Sequence, residues 1–244
     1  MILGFTSTMD AEWDRALFKR AESFGLTLVP KAMGSAYQLI SGDNGAMTLH
    51  DPQGRRLSID FDGSSVDYRR RGPRGKQEII ARAVGSKQGC KRVLDLSAGL
   101  AQDAVFLSQL GFEVTAVERN PLLAFLLAEA KQRTLREDLQ TLRFLWADSQ
   151  DLARDPMFLR GFDSIYFDPM YPSSKKTALP RQEMLLFREL VGKDEDAEKL
   201  VAMLIEVGVS RLVIKRPLEA PPLAAPTHSF EGKTVRYDVI VRAP

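Results

Sequence analysis

Cysteine is nearly absent. Cys90 is the one thiol in 244 residues, which excludes an intrachain disulfide framework. Histidine is almost as scarce: His50 and His228 lie far apart, so no His/Cys cluster points to zinc and no metal is expected. No run of 18 apolar residues occurs, so no membrane-spanning helix is expected. The opening Met-Ile-Leu-Gly-Phe-Thr is too short an apolar run for a signal peptide. Neither sign of charge dominates. A net charge of +2 is too small to mark a nucleic-acid binder by composition. The expectation is a soluble, cytoplasmic protein with no membrane association. What the chain does have is an apolar fraction of 44%, enough for a core, and a length that suits a main domain with a smaller one.

Residues 1–67 read as a small α+β domain. Trp13, Leu17, Ala21 and Phe24 share one face of a helix over Ala11–Phe24, with Asp10 as its cap. Short strands are expected at Leu26–Val29, Tyr37–Ser41, Ala46–His50 and Leu57–Asp62, separated by Gly-Asp-Asn-Gly and Asp-Pro-Gln-Gly turns. His50 reads as a strand-end residue. Residues 68–76 carry five cations among two glycines, either a solvated connector or a strip that meets phosphates. A helix over Gln77–Val84 follows. From Arg92 onward, strands and helices alternate. Strands are expected at Arg92–Leu96, Phe112–Glu118, Leu142–Trp146, Asp163–Asp168 and Arg211–Lys215. That alternation implies an α/β domain over 68–244 with a mostly parallel sheet. The tail ends in an antiparallel hairpin, Thr227–Phe230 and Thr234–Arg242, in which Val235, Tyr237, Val239 and Val241 alternate with polar residues.

The stretch Ser164-Ile-Tyr-Phe-Asp168-Pro169-Met170-Tyr171-Pro172 carries the most chemistry. A buried strand ends in an acid, a proline and an aromatic ring. The carboxylate and neighbouring carbonyls can accept from an exocyclic NH2, Tyr171 can stack on the ring that carries it, and proline stiffens the loop. An ordinary Asp-Pro turn would look similar.

A second constellation lies at the ends of the first three strands of this domain. Asp95, followed by Ser97-Ala98-Gly99-Leu100-Ala101-Gln102-Asp103, joins the first strand to its helix. Gly99 allows close approach of a ligand to the backbone. Glu118 ends the second strand and suits the hydroxyls of a ribose; Asp148 and Ser149 follow the third and suit an adenine amine. Ligands of open α/β sheets sit outside the carboxyl ends of the strands. A dinucleotide fingerprint needs three glycines around a pyrophosphate, and only Gly99 is present. Acids at 95 and 103 would repel that pyrophosphate, whereas S-adenosylmethionine carries cations and no phosphate. The charge pattern therefore favours S-adenosylmethionine over NAD.

With these motifs in order, the chain resembles the small-subunit ribosomal RNA guanine-N2 methyltransferase J family. The resemblance rests on Asp95–Ala104, Val117-Glu-Arg-Asn-Pro121, Asp168-Pro-Met-Tyr-Pro172, Glu183-Met184, Leu190-Val191-Gly192 and Val213-Ile-Lys-Arg-Pro217, and covers roughly 66–244. It implies a Rossmann-like class I methyltransferase sheet, S-adenosylmethionine as cofactor, and small-subunit ribosomal RNA or the small ribosomal subunit as partner. It places cofactor contacts at Gln102, Asp103, Glu118, Arg119, Asp148, Ser149 and Asp168. Two positions depart from its pattern: Gln102 stands in place of arginine and Ala101 in place of glycine. Asp168, Pro169 and Tyr171 are the expected catalytic loop. Arg74, Lys175, Lys176, Arg181, Lys215 and Arg216 are the expected contacts to the RNA backbone. The same loop chemistry would also serve adenine N6 or a protein glutamine. A non-catalytic RNA-binding module with a cofactor fold is the other reading, and oligomeric state stays open.

Overall fold

The computed structural model describes residues 1–30, 37–63, 74–171, 182–192 and 196–242, with side chains from residue 79 onward in the third span. In chain order the elements are β1 (Ile2–Ser7), α1 (Ala11–Glu22), β2 (Thr27–Pro30), β3 (Gln38–Ser41), β4 (Met47–His50), β5 (Arg56–Ser58), α2 (Arg74–Ala83), β6 (Arg92–Asp95), α3 (Gln102–Gln109), β7 (Glu113–Glu118) and α4 (Pro121–Arg133). Then come β8 (Arg143–Trp146), α5 (Ser149–Ala153), α6 (Pro156–Leu159), β9 (Ser164–Phe167), α7 (Gln182–Val191), α8 (Ala197–Val207), β10 (Arg211–Pro217), β11 (His228–Glu231) and β12 (Val235–Val241). Helix α2 starts three residues before the expected Gln77, because Arg74 and Lys76 are good helix formers. Among the described residues no helix is long and apolar enough to cross a membrane.

The chain divides into two compact units. The first comprises Met1–Gly63, Asn120–Leu135 and Ser174–Gly192. Its five-stranded sheet has the order β2-β1-β3-β4-β5, with β1 parallel to both neighbours and β3-β4-β5 antiparallel. The sequence reading missed β1. Leu3, Gly4 and Phe5 are consecutively buried, so the strand lacks the alternation of a half-exposed one. Helix α1 is capped by Asp10, whose carboxylate accepts from the N–H groups of Glu12 and Trp13, and it buries Leu17 and Ala21. His50 ends β4, where Asp51 begins a turn by accepting from the backbone of Gln53 and Arg55. Helix α4 is apolar all round its first two turns, burying every residue from Leu122 to Leu127. Phe125 meets Phe24 edge-on at 5.7 Å, and Glu129 takes a two-point ion pair from Arg20 at 2.7 and 2.9 Å.

The second unit comprises Ser64–Arg119, Arg136–Ser173 and Lys193–Pro244. Its seven-stranded sheet runs β11-β12-β10-β9-β6-β7-β8. Strands β8, β7, β6, β9 and β10 are parallel; β12 is antiparallel to β10, and β11 to β12. This is the Rossmann-like sheet with the expected C-terminal hairpin. The order of connection reverses between β6 and β9, the switch point where such sheets open a crevice. A core of Leu94, Ile165, Leu204, Leu212 and Ile214 packs around this point. The hairpin departs from expectation in one respect. Arg236 and Asp238, read as the polar face of β12, are buried, because they pair with each other at 2.9 Å.

Candidate active site

The switch point gathers acids on three elements. Asp95 ends β6 and is 1% exposed. Its Oδ1 accepts from the Ser97 N–H at 2.9 Å and from the Ser97 hydroxyl at 3.1 Å. The spacing Asp-x-Ser is that of an Asx turn, which bends the chain out of the strand. Ser97 Oγ in turn accepts from the Asp168 N–H at 2.7 Å. One hydroxyl thus ties the loop after β6 to the loop after β9. Burial disfavours the carboxylate and pushes the Asp95 pKa up to about 7, with Asp103 and Asp168 adding like charge.

The loop from β6 to α3 is built on two left-handed residues. Gly99 has φ 53° and Ala101 φ 57°. A non-glycine residue there costs about 1–2 kcal/mol. The glycine that the family resemblance leads one to expect at 101 would relieve this cost; Ala101 keeps a fully buried methyl instead. Gly99 donates its N–H to Glu118 Oε2 at 3.0 Å, so the buried Glu118 carboxylate braces the loop as well as ending β7.

Asp103 lies in the first turn of α3, where a carboxylate is favoured by the helix dipole. Its Oδ2 accepts from Tyr166 OH at 2.7 Å and from Lys215 Nζ at 2.7 Å. Lys215 Nζ also reaches Asp168 Oδ2 at 2.8 Å. Burial alone would lower the Lys215 pKa; Asp103 and Asp168 more than offset it and raise it. Burial and the same two acids push the Tyr166 hydroxyl well above its ordinary range, so it stays a donor. Gln102 opens α3 and is exposed. Arg119 is exposed beyond β7 and pairs with Asp196 at 3.3 Å. Asp148 caps α5 by accepting from the Gln150 N–H at 2.7 Å, and Ser149 donates to Leu96 O at 2.8 Å.

Beyond Asp168, Pro169 is buried and Tyr171 is 38% exposed. The Arg216 guanidinium lies 4.8 Å from the centre of the Tyr171 ring. Arg216 is itself buried and donates to Pro221 O at 3.0 and 3.2 Å. The donor set suits S-adenosylmethionine. Asp103, Glu118 and Asp148 sit at or just beyond the carboxyl ends of β6, β7 and β8, an acidic frame that attracts a cationic nucleoside and repels a pyrophosphate.

The model of a SAM-dependent methyltransferase family matches residues 21–242. A protein from Bdellovibrio bacteriovorus named ribosomal RNA small subunit methyltransferase J is 48% identical over 194 residues, 79% of this chain and 77% of its own. One of the same name from Thioalkalivibrio sulfidiphilus is 38% identical over 238 residues, 91% of each chain. The chain belongs to the ribosomal RNA small-subunit methyltransferase J family. A crystal structure of a SAM-dependent methyltransferase from Neisseria gonorrhoeae matches with a TM-score of 0.74 and 25% identity, over 99% of this chain and 96% of that one.

For a methyltransferase J, the structure links Asp95, Asp168 and Asp103 through Ser97 and Lys215 at the switch point, and Glu118 separately holds the Gly99 N–H. Asp148 and Ser149 begin the helix after β8. Lys175, Lys176 and Arg181 lie outside the described residues, as does the side chain of Arg74. Lys215 and Arg216, expected to face RNA phosphates, are engaged inside the protein, by two acids and by Tyr171 with Pro221. Sequence reasoning overlooked Ser97 and Tyr166. Both had a signal: Ser97 stands two residues after Asp95, and Tyr166 stands two before Asp168, on the same face of β9.

Proposed function

We propose that this protein methylates the exocyclic N2 of a guanine in small-subunit ribosomal RNA, in the cytoplasm, with S-adenosylmethionine as donor. The names of the relatives support the RNA. The observation that carries the site is Asp168: its backbone is tied by Ser97 to the loop after β6, and its carboxylate is held by Lys215 beside Asp103. When bound, the cofactor supplies an electrophilic methyl group on a sulfonium.

The chain's own residues bind and orient the acceptor. Asp168 accepts hydrogen bonds from the guanine NH2, which turns the nitrogen lone pair out of the ring system. Tyr171, braced from behind by Arg216, stacks on the base. Buried Pro169 keeps the two at a fixed spacing. Alignment and prearranged charge then account for most of the acceleration. A base inside RNA must be splayed out to reach this loop. Lys175, Lys176, Arg181 and Arg74 are the residues we assign to the flanking phosphates.

Asp168→Asn tests the reading. It replaces one acceptor oxygen with an NH2 donor that opposes the amine. Single-turnover methylation at saturating S-adenosylmethionine, on small-subunit particles from cells lacking the protein, should slow by roughly 10²–10³. A wild-type rate would remove Asp168 from the mechanism. Mass mapping of the product nucleoside identifies the base, and methyl on adenine N6 would overturn the guanine assignment.

A further inference from the structure

We infer that Lys215 is a positioning residue for methyl transfer, its ammonium locking the acceptor-binding carboxylate of Asp168 to Asp103 of the cofactor-binding helix. The inference rests on the guanine-N2 reading above and assigns Lys215 a task other than holding RNA.

The geometry is set by the sheet. Strand β10 lies beside β9 with Ile214 opposite Phe167, so the next residue on each strand, Lys215 and Asp168, are neighbours at the carboxyl edge. The Lys215 ammonium then spans two elements, 2.8 Å from Asp168 Oδ2 and 2.7 Å from Asp103 Oδ2. Its side chain is 22% exposed, and two of its three N–H directions are committed to these carboxylates. An RNA phosphate would reach only the third N–H, on a side chain that is mostly covered, and would be repelled by the two carboxylates already held there.

The surrounding charges show why a cation is needed here. Among the described residues, Asp168 faces Asp95 from β6, Asp103 from α3, Tyr166 from its own strand, and Lys215 and Arg216 from β10. Tyr237 of β12 packs behind Tyr166, ring to ring at 6.4 Å. Arg216 is taken up by Tyr171 and Pro221. Without Lys215, three acids would share one crevice, and like charges at this range drive protonation. A protonated Asp168 presents a donor to the guanine amine where an acceptor is required. Lys215 therefore keeps the acceptor ionised, and it sets the distance between the acceptor and the helix that carries Asp103.

The test uses Lys215→Met, Lys215→Gln and Lys215→Arg in the full chain. Two readings are taken. The first is single-turnover methylation of small-subunit particles at saturating S-adenosylmethionine across pH 5–9. For Met and Gln the acid limb should move up by about one pH unit or more, with the rate recovering toward alkaline pH; Arg should keep the wild-type profile. The second needs no turnover. Titration of ¹³C-labelled aspartate carboxyls in the cofactor-free protein should show Asp168 releasing its proton at higher pH in the Met and Gln variants than in wild type. Gln, which retains a donor without charge, serves if Met does not fold. The salt dependence of RNA binding should be unchanged in all three. Unmoved carboxyl titrations with an unmoved acid limb would overturn the inference, as would a flattened salt slope with a wild-type pH profile. A wild-type protein that makes no N2-methylguanosine sinks the functional reading instead, while the carboxyl titration still decides whether Lys215 holds Asp168 ionised.

Discussion

At the scale of single residues, the site depends on buried acids whose oxygens are committed to the protein. Asp95 is the extreme case. Burial raises its pKa to about 7, against an ordinary carboxylate value of 3.8. The folded chain therefore keeps this proton up to about pH 7, while the unfolded chain loses it three units lower. The folded state binds more protons in that window, so this group makes stability fall as pH rises through it. Asp95→Asn retains an oxygen for the Ser97 N–H and hydroxyl and removes the titration. The unfolding free energy of the variant, compared with wild type by urea titration, should gain steadily between about pH 4 and about pH 7. A constant difference across that range would assign the titration to another group. The residue types at the site were largely legible, because Asp95, Glu118, Asp148 and Asp168 close expected strands. Their partners were less so: Ser97 and Tyr166 stand at short spacings from Asp95 and Asp168, but Lys215 acquires its role only through distances across the sheet.

At the scale of elements, the C-terminal hairpin shows what a strand pattern conceals. Alternation along β12 identified the strand and its apolar face. It did not show that the opposite face is buried too. Arg236 donates to Asp238 and to the carbonyls of Pro217, Leu218 and Ala220 at 2.6 to 3.0 Å, and so latches the segment that follows β10. Asp238 also accepts from Ser229 at 2.7 Å. Removing one partner of such a pair leaves a buried charge. Arg236→Met should cost about 3–5 kcal/mol, read from urea unfolding followed by circular dichroism. A cost below about 1 kcal/mol would mean that water reaches Asp238 in the variant. The latch sits next to Arg216, so the same variant should also loosen the support of Tyr171. Strand β1 is the converse case: Leu3 and Phe5 face inward, but the buried Gly4 between them and the apolar Ile2, exposed on the other face, blur the alternation.

At the scale of the whole molecule, a crevice framed by Asp103, Glu118 and Asp148 should discriminate between nucleotide cofactors by charge. Any ligand that binds only the folded state stabilises it by mass action, by about 2.7 kcal/mol at a hundred times its dissociation constant. Thermal unfolding should therefore shift upward with S-adenosylmethionine in a concentration-dependent way and stay unmoved by NAD. A shift with NAD instead would contradict the acidic frame. This prediction does not depend on the RNA, so it separates the cofactor site from the choice of acceptor.

The sequence by itself determined the α/β architecture of the second unit, the places where its acids fall, and the cofactor class. Those follow from local periodicity and from charge at strand ends, which are properties of neighbours along the chain. Only the tertiary structure decided that α4, which follows β7 in the second unit, groups with Met1–Gly63. It also decided that Arg216 props a tyrosine and that Lys215 joins two carboxylates on different elements. A run of Lys-Arg after a strand has the same pattern whether it faces phosphate or acid. Which of the two it meets is set by the register of β10 against β9 and by the turn of α3, and by no spacing within the motif itself.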